Sequence, residues 1–338
     1  MIVYMDVTYQ RDVGHCSKSN YVKEYTVGEI LPAENSDSLD MVKFVEIDYQ
    51  TIVKRGTVNI GDKLFFIPPE SVLPFELSEE LGITKYLSNG RVRITTLRGN
   101  KSEGIVADIN RVTPYVDYIM QWEDPPSIAM CGTMMPNAET PLRFEEFYKM
   151  PNLRFEPHIF EIGESIVYSE KIHGTNCRFG NFENPKTGEP QLYVGSHATV
   201  LKKDLDNLYW RVVDSLNVED RLPMNVIFYG EIYGMGIQDI DYGRKDQGLR
   251  VFAAFHRSQY VSYKVLTQMA ITYDLEPVKF HREMFNGIEQ LKENAEEKSE
   301  YYDGKREGIV VTSVDNPNKM AKLLSETYMK RKNKLERH

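Results

Sequence analysis

Between residues 123 and 143 this chain cannot hold regular structure for long. The stretch carries Asp124-Pro125-Pro126, Gly132, Met135-Pro136-Asn137 and Thr140-Pro141. Each proline removes an amide donor, fixes φ, and pushes the residue before it out of the helical region. The stretch reads as an interdomain linker. It divides the 338 residues into an N-terminal part, 1–122, and a C-terminal part, 144–338. Length agrees with two domains, because one core rarely serves a chain of this size.

The N-terminal part is β-rich. Met41 to Ile47 alternates apolar and polar residues, as a half-buried strand does. Asn59-Ile60-Gly61-Asp62 marks a turn, and Lys63 to Ile67 follows as a strand that stops at Pro68-Pro69. Arg91 to Thr95 alternates again. Short strands with glycine turns and few helical signals predict a small β-barrel of OB-like type. The C-terminal part reads as mixed α/β, so the chain as a whole is α+β. Ile166-Val167-Tyr168 predicts a strand ending near Lys171. Leu201 to Leu216, Val261 to Ile271 and Arg282 to Ala295 have helical spacing. Asn225 to Tyr229, Leu249 to Phe255 and Gly308 to Val311 read as strands.

Composition narrows the classes. Met1 to Asp6 has no basic region followed by an apolar run, so no secretory signal is expected. No apolar run is long enough to cross a bilayer, and a soluble, cytoplasmic chain without membrane contact is expected. Cys16, Cys131 and Cys177 are widely spaced and read as free thiols. The net charge of −9 weighs against a broad nucleic-acid surface but leaves room for a basic patch. Glu293 to Glu300 reads as a solvated helical face.

The chemistry concentrates in four segments. Lys171 stands at a predicted strand end, followed by Ile172-His173-Gly174-Thr175-Asn176. A lysine there can attack phosphorus only as the free amine. Its ordinary pKa of roughly 10.4 must be lowered by burial, a neighbouring cation or a metal. Gly174 permits close backbone approach, and Asn176 offers a donor and an acceptor. Tyr229-Gly230-Glu231 places a carboxylate between glycines, after a buried strand, where it can accept from a ribose hydroxyl. Glu307-Gly308-Ile309-Val310 opens a strand with a carboxylate of the kind Mg²⁺ uses. Lys322 can neutralise a phosphate. Taken singly, each has a plainer reading: a surface lysine, a turn carboxylate, a solvated strand end.

Together and in this order the segments resemble the covalent nucleotidyltransferases, and within them the ATP-dependent RNA ligases; the expected barrel before them, with Leu97-Arg98-Gly99 and Glu103-Gly104-Ile105-Val106, resembles the Deinococcus and Naegleria type. Lys171 to Asn176 resembles the KxHGxN nucleophile motif, whose His-Gly pair sets RNA ligases apart from the KxDG of DNA ligases and capping enzymes. Tyr229-Gly230-Glu231, Val251 to Phe255, Glu307 to Val310 and Lys322-Leu323-Leu324-Ser325 resemble the later motifs, over residues 150 to 331.

The resemblance implies roles. Lys171 is the catalytic nucleophile that takes up AMP. Glu170, His173, Asn176, Arg178, Glu231, Phe252 and Lys322 bind the nucleotide: Glu170 through its backbone, Glu231 at the ribose, Phe252 (or Phe255) stacked on adenine, Lys322 at the α-phosphate. Glu307 orients Mg²⁺ or Mn²⁺. Arg154 is a second candidate for phosphate contact, and Arg91, Arg93, Arg98 and Lys101 for a duplex backbone. The implied reaction joins 3′-OH and 5′-phosphate ends of RNA, at nicks in a duplex or an RNA–DNA hybrid, by a monomeric enzyme. Two departures stand out. Leu324 occupies the place of a second lysine, which Lys319, Lys330 or Arg331 would have to replace. His197 stands where relatives carry arginine. The competing readings are a DNA ligase or capping-type transferase, and a non-catalytic nucleic-acid-binding protein with a degenerate transferase domain.

Overall fold

The structure, a computed structural model, describes residues 16–122 and 132–335. It divides into two compact units. One comprises Met1–Pro125, Arg154–Pro157 and Met329–His338, the other Pro126–Leu153 and His158–Tyr328. Part of the expected linker, 123–131, lies outside the described residues, as does Cys131. Cys16 and Cys177 are free thiols.

Among the described residues the first unit contains two short helices, α1 (Phe75–Glu80) and α2 (Ile109–Val112), and ten strands: β1 (Cys16–Lys18), β2 (Lys23–Pro32), β3 (Leu39–Phe44), β4 (Gln50–Lys54), β5 (Lys63–Ile67), β6 (Ser71–Val72), β7 (Thr95–Leu97), β8 (Asn100–Ser102), β9 (Ile105–Ala107) and β10 (Met120–Trp122). Five form an antiparallel sheet in the order β4-β3-β2-β5-β9. Its two outer strands, β4 and β9, also lie against each other, so the sheet curls nearly closed. Val27, Val42 and Val53 fill its inside, and Tyr25, Phe44, Ile47, Tyr49 and Phe66 form an adjoining aromatic cluster.

Three expectations need correction in this unit. The strand expected over Met41–Ile47 ends at Phe44. Arg91 to Thr95 forms no strand before Thr95. Arg91 and Arg93 alternate because both turn inward onto the buried carboxylate of Glu70, not because they line a solvent-facing strand. That removes them as candidates for a duplex backbone. Arg154 is also committed within this unit. Its guanidinium grips both carboxylate oxygens of Glu103 at 2.8 Å, bonds Asp48 at 3.1 Å and lies 4.0 Å over the Tyr49 ring. Arg98 is exposed, and Lys101 pairs with Glu103 at 3.0 Å.

The second unit is built on two antiparallel sheets. Six strands follow the order β14-β13-β12-β15-β16-β17: β12 is Thr175–Glu183, β13 Pro190–Gly195, β14 Val200–Leu201, β15 Val226–Gly234, β16 Gln247–His256 and β17 Gln259–Tyr260. Four follow β18-β11-β19-β20: β11 is Ser165–Glu170, β18 His281–Met284, β19 Gly308–Ser313 and β20 Met320–Leu324. One face of the larger sheet packs Phe179, Phe228, Val251 and their neighbours against helices α3 (Leu208–Ser215) and α4 (Tyr263–Tyr273). The smaller sheet buries Ile166, Ile309, Val311, Ala321 and Leu323 against α5 (Ile288–Ala295). Period-2 alternation therefore leaves Val310, Thr312, Met320 and Lys322 on the other face.

Here too, some predicted bounds move. The helix expected from Leu201 begins at Leu208, because the Asn207 side chain caps the amides of Tyr209 and Trp210. Leu205, inside the span expected to be helical, lies before the helix and is exposed. Arg282 to Met284 belongs to an edge strand paired with β11, and α5 starts only after Gly287, whose φ of 115° breaks the pattern. Since α5 ends at Ala295, Glu296 to Glu300 is a loop rather than a helical face.

Candidate active site

Lys171 sits where the chain leaves one sheet for the other. β11 belongs to the four-stranded sheet and β12 to the six-stranded one, and residues 171–174 connect them. The Lys171 amide donates to Gly308 O at 2.9 Å, which anchors the near end of the connection. Gly174 anchors the far end. A Cβ there would stand 2.1 Å from Ile232 O, so no side chain fits.

A cavity of about 260 Å³ opens beside Lys171. Its floor comes from the six-stranded sheet. Asn176 and Glu231 are direct cross-strand partners on β12 and β15 and share one face. Glu231 is thus within a strand, not in the turn read from the sequence. It is the one ionisable carboxylate in a strand that otherwise reads Val-Ile-Phe-Tyr-Gly and Ile-Tyr-Gly. Burial pushes its carboxyl up to about 7, Lys171 opposing that rise and Glu307 reinforcing it. The Asn176 Oδ1 is buried without a partner. Phe252 joins from β16, its edge packed by Phe147 at 5.1 Å. The opposite wall comes from the smaller sheet: Val310, Thr312, Met320 and Lys322.

Behind Lys171 runs a chain of ionic hydrogen bonds. Lys171 Nζ lies 2.7 Å from Glu307 Oε1, and Glu307 Oε2 lies 2.9 Å from His173 Nδ1. His173 Nε2 lies 2.6 Å from Asp239 Oδ1. Burial alone would pull the His173 imidazole down. The bonds to Asp239 and Glu307 more than reverse this and bring it to about 9, so it is imidazolium at neutral pH. Burial likewise works against the Glu307 carboxylate, but Lys171 and His173 hold it down at about 2.

Other sequence candidates fall in different places. The Glu170 residue lines the cavity, but its carboxylate accepts from Ser299 Oγ (2.7 Å) and Glu300 N (2.8 Å), leaving its backbone to face a ligand. His197 lines the cavity. Arg178 is buried on the Asn176 face of β12, 5.1 Å from the Phe144 ring, with Nε and Nη1 unpartnered. Burial lowers its pKa. Gly195 makes room for it: a Cβ there would meet Arg178 Nε at 3.0 Å. Phe255 packs against Tyr260 at 5.0 Å, away from the cavity lining. Lys319 is engaged by Glu164 at 2.7 Å.

Sequence reading missed Phe147, Tyr148, Lys149 and Met150, all of which line the cavity. They stand in an irregular segment without periodicity, and only the aromatic-then-cation run marked it. It also missed the loop between β15 and β16, which supplies Asp239 and Tyr242. The Tyr242 hydroxyl accepts from the His173 amide at 2.6 Å.

Residues 164–324 match the family model described as RNA ligase. The match runs from just before β11 through Lys322. No curated protein matches the chain by sequence. Among solved structures, Naegleria gruberi RNA ligase with PPi is similar over 94% of this chain and 99% of its own, at a TM-score of 0.80 and 19% identity. A variant of that ligase with ATP and Mn is similar over 93% and 99%, at 0.82 and 18%. Another, with AMP and Mn, is similar over 93% and 99%, at 0.78 and 18%. At such identities the likeness is one of fold.

Proposed function

We propose that this chain, whose residues 164–324 belong to the RNA ligase family, is an ATP-dependent enzyme that joins RNA 3′-OH and 5′-phosphate ends through a Lys171–AMP intermediate. One observation carries the reading: Lys171 opens onto a cavity that presents Asn176, Glu231, Phe252 and Lys322 together.

The chemistry follows from those groups. The cavity's apolar part, between Phe252 and Val310, suits a purine ring. Asn176 and Glu231 offer adjacent acceptors for the ribose hydroxyls. Lys322 and Lys149 bring positive charge to the phosphates, and Lys149 stands in for the second lysine that Leu324 lacks. Lys171 Nζ, once deprotonated, attacks the α-phosphorus, and the bond to pyrophosphate breaks. The 5′-phosphate of the RNA then displaces lysine, which leaves with the electrons of the P–N bond. In the last step the 3′-hydroxyl attacks that 5′-phosphorus and AMP departs. Each step redistributes charge on phosphate oxygens, so fixed cations and alignment supply the rate.

A divalent cation fits beside this set. Among the described residues, no group of three or more His, Cys, Asp or Glu forms a cage. Mg²⁺ and Mn²⁺ need none, since one or two carboxylates with phosphate oxygens and water suffice. Glu307, whose carboxylate is held ionised beside Lys171, would hold it. Bound there, it supplies charge to the triphosphate and disfavours the ammonium form of Lys171.

The finer reading is that the first unit is an OB-like barrel preceding a nucleotidyltransferase domain in a monomer, and that the substrate is a nick in duplex RNA or an RNA–DNA hybrid. The nearly closed five-stranded sheet supports the barrel. Radiolabelled ATP with Mg²⁺ or Mn²⁺ should label the chain, and Lys171→Ala should abolish the label. Labelling by GTP and not ATP would give the site to a capping-type transferase. No label with either would give it to a binding protein. Nicked duplexes with RNA or DNA varied on each side then test the substrate, with sealing expected at nicks in duplex RNA or an RNA–DNA hybrid.

A further inference from the structure

The loop between β15 and β16 grips the nucleophile segment at three points. Tyr242 Oη accepts the His173 amide at 2.6 Å, Asp239 Oδ1 meets His173 Nε2 at 2.6 Å, and Gln238 Nε2 donates to Gly174 O at 3.4 Å. The backbone is bent to do so: Tyr242 is held at φ 57°, a left-handed conformation uncommon outside glycine, while its ring is buried against Tyr233 and Tyr302. The loop itself is largely solvent-facing, with Met235, Gly236, Asp239, Asp241 and Gly243 exposed. Ile237 and Ile240 anchor the loop by burying their side chains, while its polar contacts go to the nucleophile segment.

We infer that this loop is a clamp for the nucleophile and that Asp239 is its positioning residue, acting on Lys171 through His173 and Glu307. The inference rests on the lysyl-AMP reading above. Glu307 has two oxygens, one for Lys171 and one for His173. Its rotamer is therefore fixed only while the imidazole stays put. The imidazole is packed by the Tyr328 ring at 5.3 Å and oriented by a carboxylate on its far nitrogen, as an outer carboxylate orients a histidine at a metal site. Nothing about a lone KxHG segment discloses this partner, which lies 66 residues away in sequence. Asp239 is not among the residues that line the cavity, and it meets His173 on the side away from Glu307. Its effect is on alignment, not on nucleotide affinity.

The test separates alignment from binding and from folding. Single-turnover lysyl-AMP formation is measured over a range of ATP for the parent chain, Asp239→Ala, Asp239→Asn, His173→Ala and His173→Ala/Asp239→Ala. Asp239→Ala should lower the rate at saturating ATP by on the order of 10- to 100-fold, with the half-saturating ATP concentration within about twofold of the parent. Asp239→Asn keeps an acceptor oxygen for His173 and should recover most of the rate. Adding Asp239→Ala to His173→Ala should produce no further loss, because the two act in series. Sealing of a pre-adenylylated nick does not require Lys171 to attack, so Asp239→Ala should keep most of the parent rate there. Equal loss in both assays, a shift in ATP dependence alone, or additive effects in the double variant would overturn the clamp. If the parent forms no Lys171–AMP, the functional reading fails. If it does and Asp239→Ala matches it, only the clamp fails.

Discussion

His173 should make the stability of the second unit depend on alkaline pH. In the folded chain its imidazole is brought to about 9, against burial, by Asp239 and Glu307. Unfolded, it returns to roughly 6.5. At about 1.4 kcal/mol per pH unit, that gap corresponds to about 3 kcal/mol of preference for the folded imidazolium. The contribution is complete below pH 6.5 and drains away as pH rises through 9. The perturbation is His173→Gln, which cannot titrate. Urea denaturation followed by tryptophan fluorescence reports on this unit if Trp122 is first changed to Phe, leaving the buried Trp210 as the sole indole. Because Glu231 titrates near 7 and senses His173, both chains carry Glu231→Gln. Parent minus variant stability should fall by about 3 kcal/mol between pH 6 and 9.5. A flat or rising difference would show that the Asp239–His173–Glu307 chain does not hold an extra proton.

Other substitutions probe separate parts of the site. Glu231→Gln should raise stability at pH 8 by on the order of 1–3 kcal/mol, because a carboxyl lifted to about 7 destabilises the fold once ionised; discrimination between ATP and dATP in adduct formation should fall. Gly174→Ala should abolish labelling and lower the melting temperature, since the new methyl meets Ile232 O at 2.1 Å. Arg178→Met should leave the melting temperature unchanged or higher, as a buried guanidinium whose Nε and Nη1 lack partners is replaced by an apolar chain; a marked loss would mean that its contact with the Phe144 ring outweighs that burial cost. Lys149→Ala should raise the ATP concentration for half-maximal labelling by about tenfold, read in the same adduct assay.

The strands were the most legible part of the chain. Lys63–Ile67 agrees to the residue, because a glycine turn and a proline pair bracket it. Boundaries failed where a side chain overrode periodicity: Asn207 delays α3, and Glu70 draws Arg91 and Arg93 inward. The gathering of Lys171, Glu231 and Glu307 at one place was legible because an ordered set of short segments carries more information than any one of them. Asp239 and Lys149 were not, because each lies in an irregular stretch and acquires meaning only from a neighbour that folding brings to it. The same holds for Arg154, whose plausible role as a phosphate ligand gave way to a bidentate pair with Glu103.

The imidazolium of His173 also sets the charge inventory around Glu307. As the chain stands, two cationic side chains flank that carboxylate. An aspartate at 173, as in the KxDG form of the motif, would turn one of them from positive to negative and leave Asp239 facing a like charge. Such a site would have to draw its compensating charge from solution. A His173→Asp chain is therefore expected to need more divalent cation for the same folded stability, and an Asp239→Asn change should partly relieve that demand. Which residue follows the nucleophile by two positions thus bears on how much of the site's positive charge is covalently built in and how much is borrowed.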